Sequence, residues 1–239
     1  IKKDYMMTKK ILVAAILASG VASTATAAPI IMEGDFVRTA VSDNGTLGYG
    51  GTTSPGIVHD ATGTASWPVD DYLTPGSPFE GFYVKSDQSG SVGNNNTGSA
   101  SISKTSMTDT SGVSGYDQSV NWLGGYGSLF SLETDTYYND GDERITMTST
   151  ITALSDLTSL TFLRILDPDP DVNTYGSYDT VNGRGNGGLA AEDWVHSEGS
   201  STGLTIGLFT DSGLTHNTGV SESWLTDSAF YLAGNDDGN

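Results

Sequence analysis

Phe130-Ser131-Leu132-Glu133-Thr134-Asp135-Thr136-Tyr137-Tyr138, then Asn139-Asp140-Gly141-Asp142, then Ile145-Thr146-Met147-Thr148-Ser149-Thr150-Ile151, is the stretch whose reading decides the fold. Phe130, Leu132, Thr134, Thr136 and Tyr138 recur every second residue, as do Ile145, Met147, Ser149 and Ile151. A period of two places each set on one face of an extended strand. The Asn/Asp/Gly cluster between them supplies the permissive turn residues of a hairpin. Two antiparallel strands with one largely apolar face must cover that face with another layer, which points to a sandwich.

Further along, Leu154 to Asp156 reads as a turn into Leu160-Thr161-Phe162-Leu163-Arg164-Ile165-Leu166, the most apolar run after the leader. Continuous hydrophobicity predicts a central strand buried on both faces, and Pro168 ends its pairing. Other expected strands cover Asp35 to Ala40, Glu80 to Lys85, Ser99 to Met107, Gln118 to Leu123, Tyr178 to Asn182, Leu204 to Phe209 and Ala229 to Leu232. The Gly/Ser/Asn-rich stretch from Ser86 to Ser99 reads as a long exposed loop. Only Leu189 to Trp194 has the makings of a helical turn or two. No internal repeat of solenoid or propeller length occurs. The expectation is an all-β, antiparallel, jelly-roll-like β-sandwich.

The first 27 residues have a different character. Lys9 and Lys10 precede an apolar run from Ile11 to Ala22, followed by Ala25-Thr26-Ala27, which has the small residues a signal peptidase reads. The run is shorter than the roughly 20 apolar residues needed to span a bilayer. Met6 and Met7 stand where translation is expected to start, with residues 1 to 5 upstream of the frame. Cleavage after Ala27 leaves residues 28–239 as a single exported domain, extracellular or at the cell surface, with the periplasm as the other destination. Gly234-Asn235-Asp236-Asp237-Gly238-Asn239 ends in turn chemistry, so a longer reading frame is expected.

The leader holds four lysines and Asp4, which leaves six basic and 28 acidic residues after it. Nucleic acid is excluded as a partner by that balance, because phosphate binding needs a basic surface. With no cysteine in the chain, disulfides, thiolate metal sites and cysteine nucleophiles are excluded too. Such acidity serves either solvation or divalent cations. Asp167-Pro168-Asp169-Pro170-Asp171 with Asn173 places oxygen side chains at alternating positions beyond an apolar strand. Calcium takes six to eight oxygens, so Asp167, Asp169, Asp171 and Asn173 are the expected ligands of a Ca2+ site. Val172 and Tyr178 stand where an EF-hand needs glycine and glutamate, which rejects that loop type. Asp140, Asp142 and Glu143 form a second acidic turn, and Asn235, Asp236 and Asp237 a third.

Catalytic motifs fare less well. Gly183-x-Gly185-x-x-Gly188 lacks the βαβ setting of a dinucleotide site. Gly199-x-Ser201-x-Gly203 leads into a strand rather than a helix, so it is a turn and not a nucleophile elbow. His59, His196 and His216 have no metal-ligand spacing. Of Trp67, Trp122, Trp194 and Trp224, about three are expected in the core, leaving one to stack on a sugar ring.

The strings Asp71 to Phe82, Phe162 to Asp171 and Phe230 to Asn239 resemble a group of secreted bacterial surface proteins of the PEP-CTERM-sorted or RTX-associated kind. The resemblance implies a surface or matrix location and carries over no catalytic residue, and the chain has neither a sorting segment nor a G-G-x-G-x-D repeat. The resulting expectation is a non-enzymatic surface, matrix or adhesion-type module stabilised by calcium, with a polysaccharide or cell-surface partner. The alternative is a carbohydrate-binding module or polysaccharide-active enzyme, for which a carboxylate pair beside an exposed aromatic would be needed.

Overall fold

A computed structural model of the chain describes residues 28–48, 55–73 and 79–236. The leader, its cleavage site and Asp237 lie outside the described residues. The architecture is antiparallel β throughout its sheets, in sandwich-like layers, as the alternating pattern predicts.

The expected hairpin forms between β8 (Phe130–Tyr138) and β9 (Thr146–Ala153). Its turn closes when Asn139 N and Nδ2 donate to Asp142 Oδ2, at 2.9 and 3.1 Å. With β6 (Ser103–Asp109) and β7 (Gln118–Tyr126) these strands make a four-stranded sheet in the order β6-β7-β8-β9. The inward face of β8 is Phe130, Leu132, Thr134, Thr136 and Tyr138, all buried. Where it turns polar the hydroxyls find partners, as in the 3.0 Å contact of Thr134 Oγ1 with Ser149 Oγ. On β7, Trp122 lies flat in the core. Its Nε1 donates to the Asp43 carbonyl, and its indole fills the space a Cβ at Gly45 or Gly124 would need. Gly45 adopts φ +77°, so a side chain there would meet both strain and the indole.

Two smaller sheets cover this face side by side. The first, β1 (Ile30–Glu33), β2 (Val37–Val41) and β3 (Ile57–His59), packs Met32, Val37 and Val41 against Val120 and Tyr138. The second, in the order β10-β4-β5, consists of β4 (Glu80–Ser86), β5 (Gly90–Asn95) and β10 (Thr161–Leu166). It packs Phe82, Val84 and Val92 against Trp122, Phe130 and Leu132. A third three-stranded sheet follows in sequence: β11 (Thr180–Arg184), β12 (Trp194–Gly199) and β13 (Thr205–Phe209). The helices are single turns, α1 (Val172–Tyr175) and α2 (Ser228–Leu232). No helix among the described residues is long and apolar enough to cross a membrane.

Several local expectations are corrected. The apolar run 160–166 forms an edge strand, not a central one: β10 pairs only with β4, and Phe162 is 37% exposed. Its continuous hydrophobicity has a different cause. Leu163 and Ile165 face outward under a third layer, the segment carrying Trp224, Leu225 and α2, while Arg164 faces inward. Residues 229–232, expected as a strand, are α2, begun by Asp227 accepting from Ala229 N at 3.0 Å. The stretch 86–99 is a hairpin arm, not an exposed loop: β5 pairs with β4, and Asn94, Asn95 and Asn96 are buried. Their amides serve as backbone surrogates. Asn94 bonds the Asn44 and Ile102 backbones, and Asn96 Oδ1 accepts from Phe79 N and Glu80 N. Leu189 to Trp194 makes turns rather than a helix and leads into β12.

Where the two smaller sheets meet, Glu80 is fully buried. Its Oε2 accepts from Leu47 N at 2.7 Å, and its Oε1 lies 2.6 Å from Arg164 Nε. The arginine stacks 5.6 Å from the Phe82 ring centroid. Among the described residues its nitrogens meet no acceptor with aligned hydrogen-bond geometry, and the pairing is Coulombic and aromatic. Burial pushes the Glu80 carboxyl up, and Arg164 and the Leu47 amide oppose that. Removing one partner of such a pair strands the other charge, at a cost of about 3–5 kcal/mol. Arg164→Met is therefore expected to lower unfolding free energy in urea by about that amount, and adding Glu80→Gln is expected to restore most of it. Equal losses in the single and double variants would show that the two residues are not coupled.

Candidate functional site

The Asp167–Asp171 turn leaves β10 with its backbone tied down on both sides. Asp167 N donates to Phe79 O and Asp169 N to Tyr72 O, at 2.9 and 3.0 Å. The structure divides the four expected ligands. Asp171 is committed elsewhere: its Oδ2 accepts from Ser201 N at 2.6 Å, and its Oδ1 from Thr202 N at 3.1 Å and from the Thr202 hydroxyl. Burial alone would raise this carboxyl, yet those donors hold it below the usual carboxylate range. The Gly199-x-Ser201-x-Gly203 turn thus has a partner that its own sequence does not reveal. It joins β12 to β13, and its amides cradle Asp171, so Ser201 contributes a backbone N–H rather than a nucleophile. Asn173 reaches away, donating from Nδ2 to Val69 O at 3.0 Å.

Asp167 and Asp169 remain as a pair. Burial pushes the Asp167 carboxyl up. Asp169 is pushed up to about 7, by burial first and the Asp167 charge second. No hydrogen-bond donor reaches the Asp169 carboxylate among the described residues, so nothing offsets its desolvation. Among those residues no group of three or more histidine, aspartate or glutamate side chains is arranged to hold a metal ion.

The other acidic clusters are spent on loop closure. Asp60 accepts from the backbone N–H groups of Thr62, Thr64 and Ser66 and from both threonine hydroxyls, which drives its carboxyl well below the usual range. Asp71 accepts from Gly56 N, Ile57 N and Leu73 N. In the second acidic turn, Asp142 caps Asn139, Asp140 accepts from Gln118, and Glu143 pairs with His59 at 2.9 Å. In the third, Asn235 O accepts from Val220 N.

His216 and Asp193 form a second histidine–carboxylate contact, at 2.7 Å. The other ring nitrogen faces the Leu214 carbonyl at 2.6 Å. With an acceptor on each nitrogen the doubly protonated ring is favoured, and the Asp193 contact, then the Leu214 carbonyl, raises its pKa. Neither nitrogen is left to take a proton from a substrate.

Beside these residues an open cleft of about 1090 Å³ runs between β9, β10 and β12–β13, lined by Ile151, Phe162, Val195, His196, Ile206 and Phe209 among others. It is a seam between the free edges of two layers and the third sheet. The tryptophans divide more evenly than expected. Trp122 alone is fully buried, Trp224 donates to the Tyr83 hydroxyl at 2.9 Å while packing on the outer face of β4, and Trp67 and Trp194 are half-buried.

Comparison with known proteins gives no matching family model, no matching curated protein and no matching solved structure.

The Asp169 carboxyl has a direct consequence for stability. Folded, it keeps its proton to about pH 7, whereas unfolded it releases it near 3.8. The folded state binds more protons between those values, so this group's contribution falls as pH rises from about 4 to 7. His216 acts in the same direction, since its raised pKa stabilises below the unfolded value and is lost as pH rises through the folded one. The thermal midpoint is expected to be higher at pH 5 than at pH 7.5, and Asp169→Asn is expected to narrow that gap. An unchanged gap in the variant would refute the assignment.

Proposed function

We propose that the chain is an exported, non-catalytic β-sandwich module of a bacterial surface or matrix. The observation that carries this reading is the use made of the charged side chains. Asp60, Asp71 and Asp171 accept from the backbone of the loops they close, Glu80 is held between the Leu47 amide and the Arg164 charge, and His216 has an acceptor on both nitrogens. A fold that invests its buried carboxylates in pinning loops is built for a durable surface rather than for proton transfer. Without cysteine, such pinning takes the place that disulfides hold in many exported domains. The leader pattern and the acidic surface support the same location. The test is external proteolysis of intact cells producing the chain with a C-terminal epitope tag. Loss of the tag, together with an N-terminus at Ala28, is the expected result; a protected tag on a chain that retains its leader would overturn the reading.

Calcium belongs to this proposal in a narrower form. With Asp171 held by Ser201 and Thr202, the ion would sit on Asp167 and Asp169, where it would replace the proton that burial favours. Calcium at about 100 times its dissociation constant is expected to add about 2.7 kcal/mol of stability. The rise in thermal midpoint is expected to be larger at pH 8 than at pH 5, and to be absent in Asp169→Asn. Identical melts with calcium and with chelator at pH 8 would remove the ion from the proposal.

A further inference from the structure

The outward face of the third sheet supplies what the surface-module reading lacks, a partner. Register alone places its residues. Trp194 lies opposite Phe209, His196 between Gly183 and Gly207, and Glu198 between Val181 and Thr205. All eight share one face of the sheet, because side chains alternate along a strand. The opposite face carries Val195, Ser197, Ile206 and Leu208 and lines the cleft, whose wall also takes in His196, Gly207 and Phe209 from this one.

The glycines shape the outward face. The benzo edge of Trp194 occupies the space a side chain at Gly207 would fill, and the imidazole of His196 lies 2.8 Å from where a Cβ at Gly183 would stand. Both rings therefore lie down across the sheet instead of standing up from it. Their planes are within 14° of parallel, with centroids 6.0 Å apart. Phe209, 43% exposed, continues the apolar strip beyond Trp194. At the other end, Glu198 and Thr205 are exposed, with Thr205 Oγ1 3.4 Å from Glu198 Oε2. The result is a flat aromatic floor that ends in hydrogen-bonding groups.

We infer that this face, centred on Trp194, His196 and Phe209, binds a neutral polysaccharide. The axial C–H face of a pyranose is flat and weakly positive, which suits it to an aromatic ring laid flat, while its hydroxyls need acceptors and donors at the rim. Charge selects within that class. No lysine or arginine lies on this face, Glu198 sits on it, and Glu192 and Asp193 adjoin it. The whole chain is at net −19. Uronic-acid and sulfated polymers would be repelled; uncharged glycans would not. This inference rests on the surface-module reading for its biological setting, and its chemistry stands apart from that reading.

The test is depletion of the purified chain from solution by insoluble cellulose, chitin and xylan, with polygalacturonate as the anionic polymer. Retention on at least one neutral polymer and none on polygalacturonate is expected. Trp194→Ala is expected to weaken retention about tenfold or more, the loss of one good stacking contact. Trp194→Phe should keep part of it. Phe209→Ala, checked for folding by its thermal midpoint, should weaken it as well. No retention on any neutral polymer, equal retention on polygalacturonate, or full retention by Phe209→Ala and a folded Trp194→Ala would each overturn the inference. External proteolysis reads the other proposal separately. A chain exposed on cells but without glycan retention refutes only the sugar face, and a retained chain that never leaves the cytoplasm refutes only the location.

Discussion

A single buried carboxylate holds the covering layer of this sandwich in register. Glu80 ties Leu47, in the loop after β2, to Arg164 on β10, so the first and second small sheets and an edge strand meet at one side chain. Neither small sheet could cover the four-stranded sheet alone, since each packs on only half of its apolar face. Their junction necessarily brings loop backbone into the interior, and buried backbone must find partners. Glu80, Asn94 and Asn96 provide them. The charge that results is expensive and is compensated by the Arg164 guanidinium and the face of Phe82.

The same solution recurs wherever a loop closes. Asp60 organises the turn after β3, Asp71 fastens the chain back onto β3, and Asp171 joins the exit of β10 to the turn between β12 and β13. A strongly acidic composition thus has two parts. Some carboxylates are solvated surface, and others are internal staples whose donors are backbone N–H groups. These donors hold the Asp60 and Asp171 carboxyls below the usual range. Asp167 and Asp169, which no such donor reaches among the described residues, are pushed the other way by burial.

Much of the architecture was legible in the chain itself. Alternation in 130–138 and 145–151 marked the hairpin, its inward face and its turn, because a strand half-buried against another layer must alternate. Composition likewise marked an all-β, disulfide-free domain. What misled was hydrophobicity without periodicity. Run 160–166 is apolar because a helical turn and Trp224 cover its outer side, a contact made with residues about 60 positions away. The asparagines of 94–96 read as loop because amides usually seek water; here they replace backbone partners at the sheet junction.

The candidate ligands show the same division. The sequence alone determined that four oxygen side chains follow β10 at alternating positions, that a glycine-flanked serine turn lies thirty residues on, and that four tryptophans are shared between core and surface. Only the tertiary structure decided that the serine turn would take Asp171 away from its neighbours, and that Trp194 would be the tryptophan laid flat on an outward face. Spacing along a chain is a local property, fixed by the order of residues. Which carboxylate meets which amide, and which ring finds a glycine across the sheet to lie upon, depends on strand register, and register is set by packing among segments remote in sequence.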